Sequence, residues 1–305
     1  MFKKIRKVWK DPLCMLRWIM AHNDFSWIPD TPYLKIMYYA HLGKKLNLKN
    51  PTSCSEKMQW LKLYDQNPRY TDMVDKQEAK RIITEILGEG FVIPTIGIWD
   101  DPDQIDFDAL PDRFVLKTTH DSGSLLICKD KTALDLSAAK EKMRESLKRE
   151  YFYWGREWPY KNVKPRIIAE VYMEDTKTGE LRDYKWYCFH GVPKMMAIFC
   201  GRSVGATTAT YFDDNFQQLH FTWGYSAGKD MLEKPCSFEQ MKRLASALSK
   251  DIPCLRVDFY EVDGKPYVGE LTFFDGAGFD VIEPRAWDER IGSWITLPKP
   301  TKSKE

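Results

Sequence analysis

Hydrophobic positions recur with two different periods along the 305-residue chain. Apolar residues spaced three or four positions apart, together with capping residues, predict helices through most of residues 1–70 and at 72–87, 134–149 and 237–250. Runs rich in β-branched and aromatic residues predict strands at 91–99, 113–119, 124–130, 166–173, 183–189 and 194–200. The pattern indicates an α+β protein with mostly antiparallel strand pairs and interleaved helices.

Residues 256–273, RVDFYEVDGKPYVGELTF, predict two strands joined by a tight turn. A two-residue Asp-Gly turn places Asp258 and Glu270 on opposite faces, whereas a three-residue loop closed by Gly264 places them on the same face. The longer loop leaves an apolar face of Val257, Phe259, Tyr267, Gly269, Leu271 and Phe273. The opposite face then carries Arg256, Asp258, Tyr260, Val268, Glu270 and Thr272. Because register follows the hydrophobic pattern, we favour the longer loop.

The two adjacent carboxylates of this hairpin repel each other, and a cation is the usual remedy. Mg²⁺ prefers hard oxygen ligands and is commonly held by one or two carboxylates together with substrate phosphates. Alternatively, the guanidinium of Arg256 neutralises both acids on a solvated sheet face. The hairpin alone leaves both interpretations open.

The segment FVLKTTHDSGSLL (114–126) predicts a strand ending at Lys117, a small polar loop and a second strand. Backbone N–H groups and hydroxyls of such a loop can approach a phosphate closely while a lysine supplies charge. The loop is neither a Walker A sequence nor a G-x-G-x-x-G sequence, and an ordinary hairpin turn also fits it. Lys76, Lys185 and Glu170 likewise have ordinary local explanations, as solvated or snorkelling side chains and as a single acid ending an apolar run.

The composition excludes several classes of protein. Lys and Arg number 46 against 44 Asp and Glu, a balance that is not typical of a nucleic-acid-binding protein. The seven cysteines contain no C-x-x-C pair, which indicates mostly buried thiols in a reducing compartment, the cytoplasm, rather than a zinc site.

The N-terminal segment MFKKIRKVWKDPLCMLRWIM predicts a basic amphipathic helix. Its charges interrupt the apolar run, so neither a signal peptide nor a membrane span is indicated. Its apolar face consists of Phe2, Ile5, Trp9, Leu13, Leu16 and Met20. Such a helix suits the surface of an anionic membrane or docking on the rest of the protein.

Two further segments offer a possible substrate site. The aromatic run YFYWGREWPY (151–160), with Arg156, Lys161 and Arg166 nearby, offers stacking faces and basic groups to a sugar acid, or packs as a core under a loop. WDDPDQIDFD (99–108) contains two D-x-D patterns, which could hold the metal of a sugar nucleotide in a glycosyltransferase, or form a plain acidic loop.

Taken in chain order, the charged features are more informative: D-K in a helix, a strand ending in K, a glycine-containing loop, I-I-A-E, a D-x-K strand, then R-x-D and G-E-L-T in a hairpin. This order resembles the ATP-grasp superfamily, and the whole sequence resembles its TupA-like branch, named for teichuronopeptide biosynthesis. The resemblance covers roughly residues 50–280. It is carried by SEKMQWLKLYD, DKQEAKR, VIPTIGIWDD, RFVLKTTHDSG, REWPYKNVKPRIIAE, DYKWYCF and RVDFYEVDGKPYVGELTF.

The resemblance implies specific roles in binding ATP and Mg²⁺. Lys76, Lys117 and Lys185 contact the ATP phosphates. A lid over the phosphates is formed by His120, Asp121, Ser122, Gly123 and Ser124. Glu170 begins a hinge whose backbone at Val171 and Tyr172 receives adenine. Magnesium is held by Asp258 and Glu270, while Arg256 steadies the reacting acyl group.

The sequence pattern predicts a helical region at 1–70, which does not resemble the βαβ domain that opens most ATP-grasp enzymes, and a tail at 299–305. Between them the resemblance implies an ATP-grasp subdomain with the phosphate loop at 71–165 and a second with the hinge and metal site at 166–298. The implied activity is an ATP-dependent carboxylate–amine ligase that releases ADP and phosphate and acts on a bacterial surface polysaccharide or its precursor. Its partners would be ATP, a carboxylate such as a uronic acid, and an amine or amino acid. The sequence departs from the superfamily at Thr272, where asparagine is usual, and at Asp275-Gly276, where Pro-Gly is usual.

Overall fold

The computed structural model describes residues 13–22, 24–176, 181–201, 205, 207–228 and 231–301. Its first part contains the helices α1 (Leu13–His22), α2 (Asp30–Leu42), α3 (Cys54–Tyr64), α4 (Arg69–Val74) and α5 (Glu78–Leu87). The first half of the predicted amphipathic helix, including Phe2, Ile5 and Trp9, lies outside the described residues. Within the described residues, no helix is long and apolar enough to cross a membrane.

Helix α3 begins at a capping box that its sequence encodes. The Ser53 hydroxyl accepts from the Glu56 N–H at 3.3 Å, and the Glu56 carboxylate accepts from the Ser53 N–H at 3.4 Å. Such reciprocal bonds satisfy two N–H groups that a helix terminus leaves without partners. Ser55, in the first turn of the same helix, donates its N–H at 2.9 Å to the Asp288 carboxylate. The helical region therefore packs against the C-terminal helix.

The helix predicted at 72–87 is broken between Val74 and Glu78. The Asp75 carboxylate accepts from the Gln77 N–H at 2.8 Å, and the Lys76 N–H donates to the Thr119 carbonyl at 3.2 Å. An aspartate that bonds backbone groups just ahead of it competes with helical hydrogen bonds, which explains the break. Lys76 therefore lies in a turn between two helices, and the prediction of a helical Lys76 was wrong.

Four antiparallel strands form the first sheet: β1 (Thr95–Trp99), β2 (Phe114–Thr118), β3 (Leu125–Cys128) and β4 (Ile167–Val171), in the order β1-β4-β2-β3. Helices α6 (Leu136–Leu147) and α7 (Tyr151–Gly155) separate β3 from β4 in the chain. Phe114 and Leu116 are fully buried and share one hydrophobic cluster with Met143 of α6. Because β4 completes this sheet, the first sheet continues past residue 165, the predicted subdomain boundary.

The second sheet has six strands in the order β11-β10-β5-β6-β7-β8. They are β5 (Asp183–Phe189), β6 (Val192–Cys200), β7 (Thr208–Asp213), β8 (Gln218–Leu219), β10 (Leu255–Val262) and β11 (Lys265–Thr272). The remaining elements are the pair β9 (Thr222–Trp223) and β12 (Ile282–Glu283), helix α8 (Phe238–Leu248) and helix α9 (Arg285–Trp294). Helix α8 packs on one face through Phe238, whose ring centroid lies 5.0 Å from that of Trp186.

The β10–β11 hairpin reaches the predicted alignment of its acids by a different route. Its turn has two residues, Asp263 and Gly264, with φ of 51° and 78°, which suit a two-residue hairpin turn. Asp258 pairs with Glu270, but Phe259 pairs with Val268, so Gly269 is an extra bulge residue. Because of this extra residue, the side chains of β11 before Gly269 point to the sheet face opposite to the one that simple alternation predicts. Val268 therefore lies on the buried apolar face, and the predicted position of Val268 on the polar face was wrong.

Candidate active site

Two adjoining cavities lie between the two sheets. The first, here called the hinge cavity, has a volume of about 440 Å³ and is lined by residues of β2, β3 and β4 together with β5, β6 and β10. The second, the cleft cavity, has a volume of about 490 Å³ and contains most of the charged groups predicted for the site. Lys117, Leu125, Asp183 and Tyr260 line both cavities, so the two spaces form one continuous trough.

Arg256 organises the floor of the cleft cavity. Its guanidinium donates Nε to Asp258 Oδ1 at 2.6 Å and Nη2 to Asp258 Oδ2 at 2.8 Å. Nη2 also donates to Glu270 at 2.8 Å, and Nη1 donates to Asp275. Burial opposes ionisation of Glu270, but Arg256, Lys185 and Lys76 together hold its pKa well below the usual range. Glu270 therefore stays ionised at neutral pH, whereas burial raises the pKa of Asp258 against the opposing charges of Arg256 and Lys185.

Lys185 reaches the same floor from the neighbouring strand. β5 pairs with β10 so that Lys185 lies opposite Asp258, and its ammonium group donates to the Asp258 carboxylate. Asp183 Oδ1 lies 3.7 Å from the same Nζ atom. Since Lys185 is only 2% exposed, it is not a snorkelling surface lysine. Sheet register thus brings two residues that are 73 positions apart in the sequence into one charge cluster.

Lys76 approaches the cavity from the break between α4 and α5. Its ammonium group donates to the backbone carbonyl of Asp121, in the loop that joins β2 to β3. Burial lowers the pKa of Lys76, and the charge of Glu270 opposes that shift. Lys76, Lys117, Lys185 and Arg256 all line the cleft cavity, so four cationic side chains converge on one space.

The loop that follows β2 is anchored at both ends. The Asp121 carboxylate accepts from the hydroxyls of Thr118 and Ser124, while the Thr118 N–H donates to Ser124 Oγ at 3.1 Å. Ser122 and Gly123 are exposed at its tip, and Gly123 has a φ of 90°, which favours glycine. Only this tip is free of the anchoring contacts, so a lid here would be two residues wide.

His120 is placed differently from the other loop residues. It is 4% exposed, does not line the cleft cavity, and its Nε2 lies 3.0 Å from the backbone carbonyl of Arg149. Burial lowers the pKa of its imidazole. The structure therefore places His120 behind the loop and away from the cleft cavity, whereas the sequence predicted it as part of the lid.

Glu170 is held between two lysines at the junction of the cavities. Lys117 Nζ lies 2.6 Å from its Oε2, and Lys80 Nζ lies 2.6 Å from its Oε1. Burial opposes ionisation of this carboxyl, but Lys117 and Lys80 keep its pKa below the usual value. Lys80 was not predicted as a site residue, because its position in the amphipathic helix α5 fits an ordinary solvated lysine.

The hinge backbone differs in one respect from the expectation. Val171 and Tyr172 line the hinge cavity, as expected for a purine site, but the Val171 N–H already donates to the Pro94 carbonyl at 3.1 Å. That N–H is therefore not available to a purine ring. The Tyr172 ring is covered by the guanidinium of Arg113, 4.2 Å from its centroid.

The aromatic run after α6 divides between two roles. Tyr151, Trp154 and Tyr160 line the cleft cavity, as does Glu157. Arg156 points away and donates to the Phe25 carbonyl at 2.8 Å. Arg166 forms an ion pair with Asp75. None of the three expected basic groups, Arg156, Lys161 and Arg166, lines the cavity. Sequence reasoning missed Glu157, because nothing local distinguishes it from a surface acid.

The aspartates of the acidic segment 99–108 form contacts within their own loop and with helix α6. Asp101 caps a short helical turn by accepting from the Asp103 N–H at 2.8 Å, and Asp103 forms ion pairs with Lys140 and Arg144. Asp106 accepts from the Asp108 N–H at 3.1 Å. These contacts are those of a capped acidic loop, and none of these aspartates lines either cavity.

The donor atoms fit a magnesium site completed by phosphate. No group of three or more His, Cys, Asp or Glu side chains suited to a metal occurs among the residues that the structure describes. Asp258 and Glu270 nevertheless present hard oxygen atoms side by side, with Thr272 Oγ1 3.0 Å from Glu270 Oε1. Mg²⁺ is commonly held by one or two carboxylates together with phosphate oxygens and water, so this donor set fits a phosphate-bound ion.

Comparisons with known proteins place these features in a family. A family model described as TupA-like ATPgrasp matches residues 56–296. A D-alanine–D-alanine ligase from Bacillus anthracis, solved with ATP, is 17% identical, with a TM-score of 0.41 over 72% of this chain and 57% of that chain. An L-amino acid ligase from Bacillus licheniformis is 13% identical, with a TM-score of 0.45 over 73% of this chain and 49% of that one. The match with this chain thus spans little more than half the length of the D-alanine–D-alanine ligase. No curated protein sequence matches it.

Proposed function

The chain belongs to the TupA-like ATP-grasp family, whose model covers residues 56–296, and we propose that it is an ATP-dependent carboxylate–amine ligase. The membership confirms the predicted family and the α+β ATP-grasp fold. The observation that carries the proposal is the convergence of Lys76, Lys117, Lys185 and Arg256 on a cavity that also contains two paired acids. Four cations around a small space suit a triphosphate and an acyl group that receives phosphate.

In this proposal one ATP molecule lies along the continuous trough. Its adenosine occupies the hinge cavity beside Glu170 and Tyr172, while its phosphates occupy the cleft cavity beside Lys117. Both volumes fall in the range of small-molecule sites. Asp258 and Glu270 would hold Mg²⁺, which supplies charge neutralisation at the phosphates when it is bound.

The proposed chemistry follows from the poor reactivity of a carboxylate. Transfer of the γ-phosphoryl group of ATP to the carboxylate gives an acyl phosphate, which an amine attacks to form an amide, with release of ADP and phosphate. The protein mainly positions the reactants and stabilises negative charge. Lys117 and Lys185 serve the transferred phosphoryl group, and Arg256 steadies the acyl oxygens.

The loop tip at Ser122 and Gly123 would limit the access of water to the acyl phosphate. Hydrolysis would otherwise consume the intermediate, which is why enzymes of this chemistry close their sites. Because Thr118, Asp121 and Ser124 already fix the base of the loop, closure needs to reposition only its tip.

We propose that the carboxylate belongs to a bacterial surface polysaccharide or its precursor, a uronic acid being the simplest case, and that the amine is an amino acid or a related compound. The family name, with its reference to teichuronopeptide, supports a glycan carboxylate joined to an amino acid. The three rings of Tyr151, Trp154 and Tyr160 on the cavity wall support it further, since aromatic faces pack well on sugars.

A second proposal concerns location: the chain works in the cytoplasm at an anionic membrane surface. Met15, Trp18 and Trp27 are 54%, 59% and 75% exposed near the start of the described chain, which follows four lysines at positions 3, 4, 7 and 10. Apolar rings next to basic residues favour anionic lipid. Sedimentation with vesicles tests this: the protein should pellet with phosphatidylglycerol vesicles, and replacing the four lysines with glutamate should abolish binding. Equal recovery with neutral vesicles would contradict it.

The ligase proposal is tested by ADP release with Mg·ATP and pools of uronic acids and amino acids. ADP and phosphate should form only when both an acid and an amine are present. Lys117→Ala and Glu270→Ala should lower the rate by at least about a hundredfold. The exposed Lys164→Ala and Glu89→Ala serve as matched controls and should leave it unchanged.

Two results would contradict the proposal. Release of AMP and diphosphate would exclude the acyl-phosphate route. Consumption of a UDP-sugar with no use of ATP would identify the protein as a glycosyltransferase instead.

A further inference from the structure

One wall of the cleft cavity belongs to a segment that does not touch the hinge cavity. Tyr151, Trp154, Glu157 and Tyr160, all between α6 and β4, line the cleft cavity only. Since the hinge cavity suits adenosine, this wall lies beside the phosphates and the reacting acyl group rather than beside the nucleoside. It is therefore the part of the site where a second substrate would be recognised.

Glu157 is the carboxylate on this wall, and it differs from the other acids of the cavity. Its residue is 2% exposed, and its carboxylate forms no hydrogen bond or ion pair with the residues that the structure describes, although the charges of Lys62 and Arg256 act on it. The other acids all have partners: Asp121, Asp183, Asp258, Glu270 and Asp275. A buried carboxylate without a partner is costly, so it calls for a cationic ligand.

The position of this carboxylate is fixed by the chain beneath it. A Cβ atom on Gly155 would lie 2.9 Å from Glu157 Oε1 and 3.0 Å from the Cβ atom of Ala277, so the carboxylate packs directly against the Gly155 backbone. Lys62 Nζ donates to the Gly155 carbonyl at 2.7 Å and to the Ala277 carbonyl at 2.6 Å, which ties the two walls of the cavity together. Glu157 is thus presented to the cavity by a rigid base.

The surroundings favour a positive charge at this point. The rings of Tyr151 and Tyr160 line the same wall as Glu157, and their two centroids lie 4.7 Å from each other. Aromatic faces attract ammonium groups. The charged and titratable groups that influence Glu157 are Lys62, Tyr151, Tyr160, Arg256, Glu270 and Asp275. Burial raises the pKa of Glu157 to about 7 despite the opposing charges of Lys62 and Arg256. A carboxyl group with such a pKa can accept and release a proton near neutral pH.

We propose that Glu157 binds the ammonium group of the amine substrate and accepts its proton, an assignment that rests on the proposed ligase function. The ammonium group transfers one proton to the Glu157 carboxylate and becomes a neutral amine. The nitrogen lone pair then forms the C–N bond with the acyl carbon, while the bond from that carbon to the phosphate oxygen breaks. Phosphate leaves with the electron pair and takes up the second proton of the nitrogen.

Hydroxylamine separates this role from every other role in the reaction. It is small and neutral at pH 7, and it traps acyl phosphates as hydroxamates without needing its proton removed beforehand. Glu157→Gln should therefore form hydroxamate from Mg·ATP and the carboxylate pool at a rate within about twofold of the wild type. Amide formation with an amino acid should fall at least about a hundredfold at pH 7. The loss should shrink as the pH is raised toward 9, where more of the amine is already neutral.

Glu150→Gln is the matched control, because Glu150 is an exposed acid of the same segment that does not line the cavity. It should leave both rates unchanged. Equal amide formation by Glu157→Gln and the wild type would overturn the assignment. A parallel fall of hydroxamate and amide would also overturn it, because Glu157 would then serve the phosphorylation step. Absence of hydroxamate in the wild-type protein would overturn the proposed function itself, which distinguishes the two failures.

Discussion

Arg256 and Asp258 lie two residues apart on β10, and their side chains form a two-point contact, Nε to Oδ1 at 2.6 Å and Nη2 to Oδ2 at 2.8 Å. The same guanidinium also reaches Glu270 and Asp275. One planar cation thus aligns three acids, because the N–H groups of a guanidinium point in fixed directions. The proposed magnesium ligands are therefore oriented by contacts within the protein.

Replacing this guanidinium with an ammonium group should damage activity more than folding. Arg256→Lys keeps the charge but cannot form the two-point contact, so we expect ADP release to fall at least about a hundredfold. The free energy of unfolding should fall by about 1–3 kcal/mol, because buried acids lose hydrogen bonds. Steady-state kinetics and urea unfolding measure the two effects. Arg144→Lys, at an exposed ion pair, is the control, and equal behaviour of the two variants would refute the alignment role.

The bulge at Gly269 should resist any side chain. A Cβ atom there would lie 2.7 Å from Cε2 of the Tyr260 ring, so Gly269→Ala should lower the free energy of unfolding by about 1–3 kcal/mol. In a Tyr260→Ala background the same substitution should cost less than about 0.5 kcal/mol, since the obstructing ring is gone. Urea unfolding of the four proteins gives the coupling. Additive costs would show that the ring does not restrict this position.

The hairpin shows what a hydrophobic pattern can and cannot predict. The pattern required Asp258 and Glu270 to share a face, and they do. It could not distinguish a three-residue loop from a two-residue turn followed by a bulge, because both reverse the facing once. The signal that was available is Gly269 itself, since an isolated glycine within a strand pattern often marks a bulge.

Glu170 should make the protein sensitive to acid. Because Lys117 and Lys80 hold its folded pKa below the unfolded value near 4.5, its contribution is fully present above pH 4.5 and is lost as the pH falls through the folded value. Glu170→Gln should therefore lose about 3 kcal/mol of unfolding free energy at pH 7, and the deficit should shrink below pH 4.

Urea unfolding between pH 3 and 7 checks the Glu170 prediction. The exposed Glu89→Gln is its control and should stay close to the wild type throughout. A deficit for Glu170→Gln that is constant with pH would mean that packing, rather than charge, explains the loss.

Glu157 should make stability depend on pH in the direction opposite to that of Glu170. Burial raises its folded pKa to about 7, so the favourable neutral form is fully present below pH 4.5, and stability is lost as the pH rises through 7. Glu157→Gln stays neutral, so it should be more stable than the wild type by up to about 3 kcal/mol at pH 8 and equal to it at pH 4.5. Thermal unfolding at both pH values measures the difference. Lower stability of the variant at pH 8 would reveal a cationic partner for Glu157.

The limits of sequence reasoning at the site have physical causes. Lys117 and Lys185 follow local strand patterns, and only family resemblance predicted both of them as site residues. The position of Lys76 depends on Asp75, whose side chain replaces helical hydrogen bonds, and helix periodicity does not record that competition. Glu157 becomes distinctive only because its carboxylate has no hydrogen-bond or ion-pair partner among the described residues, and no local spacing reveals that.

The most direct test of the account is calorimetric titration with a non-hydrolysable ATP analogue, with and without Mg²⁺. If one nucleotide lies along both cavities, the wild-type protein should bind one analogue per chain, and Mg²⁺ should raise the affinity at least about tenfold, which corresponds to about 1.4 kcal/mol. Glu270→Gln should lose the magnesium effect while retaining weak binding, and Lys117→Met should weaken binding with or without the metal. Affinity that is independent of Mg²⁺ and unchanged in both variants would contradict the account.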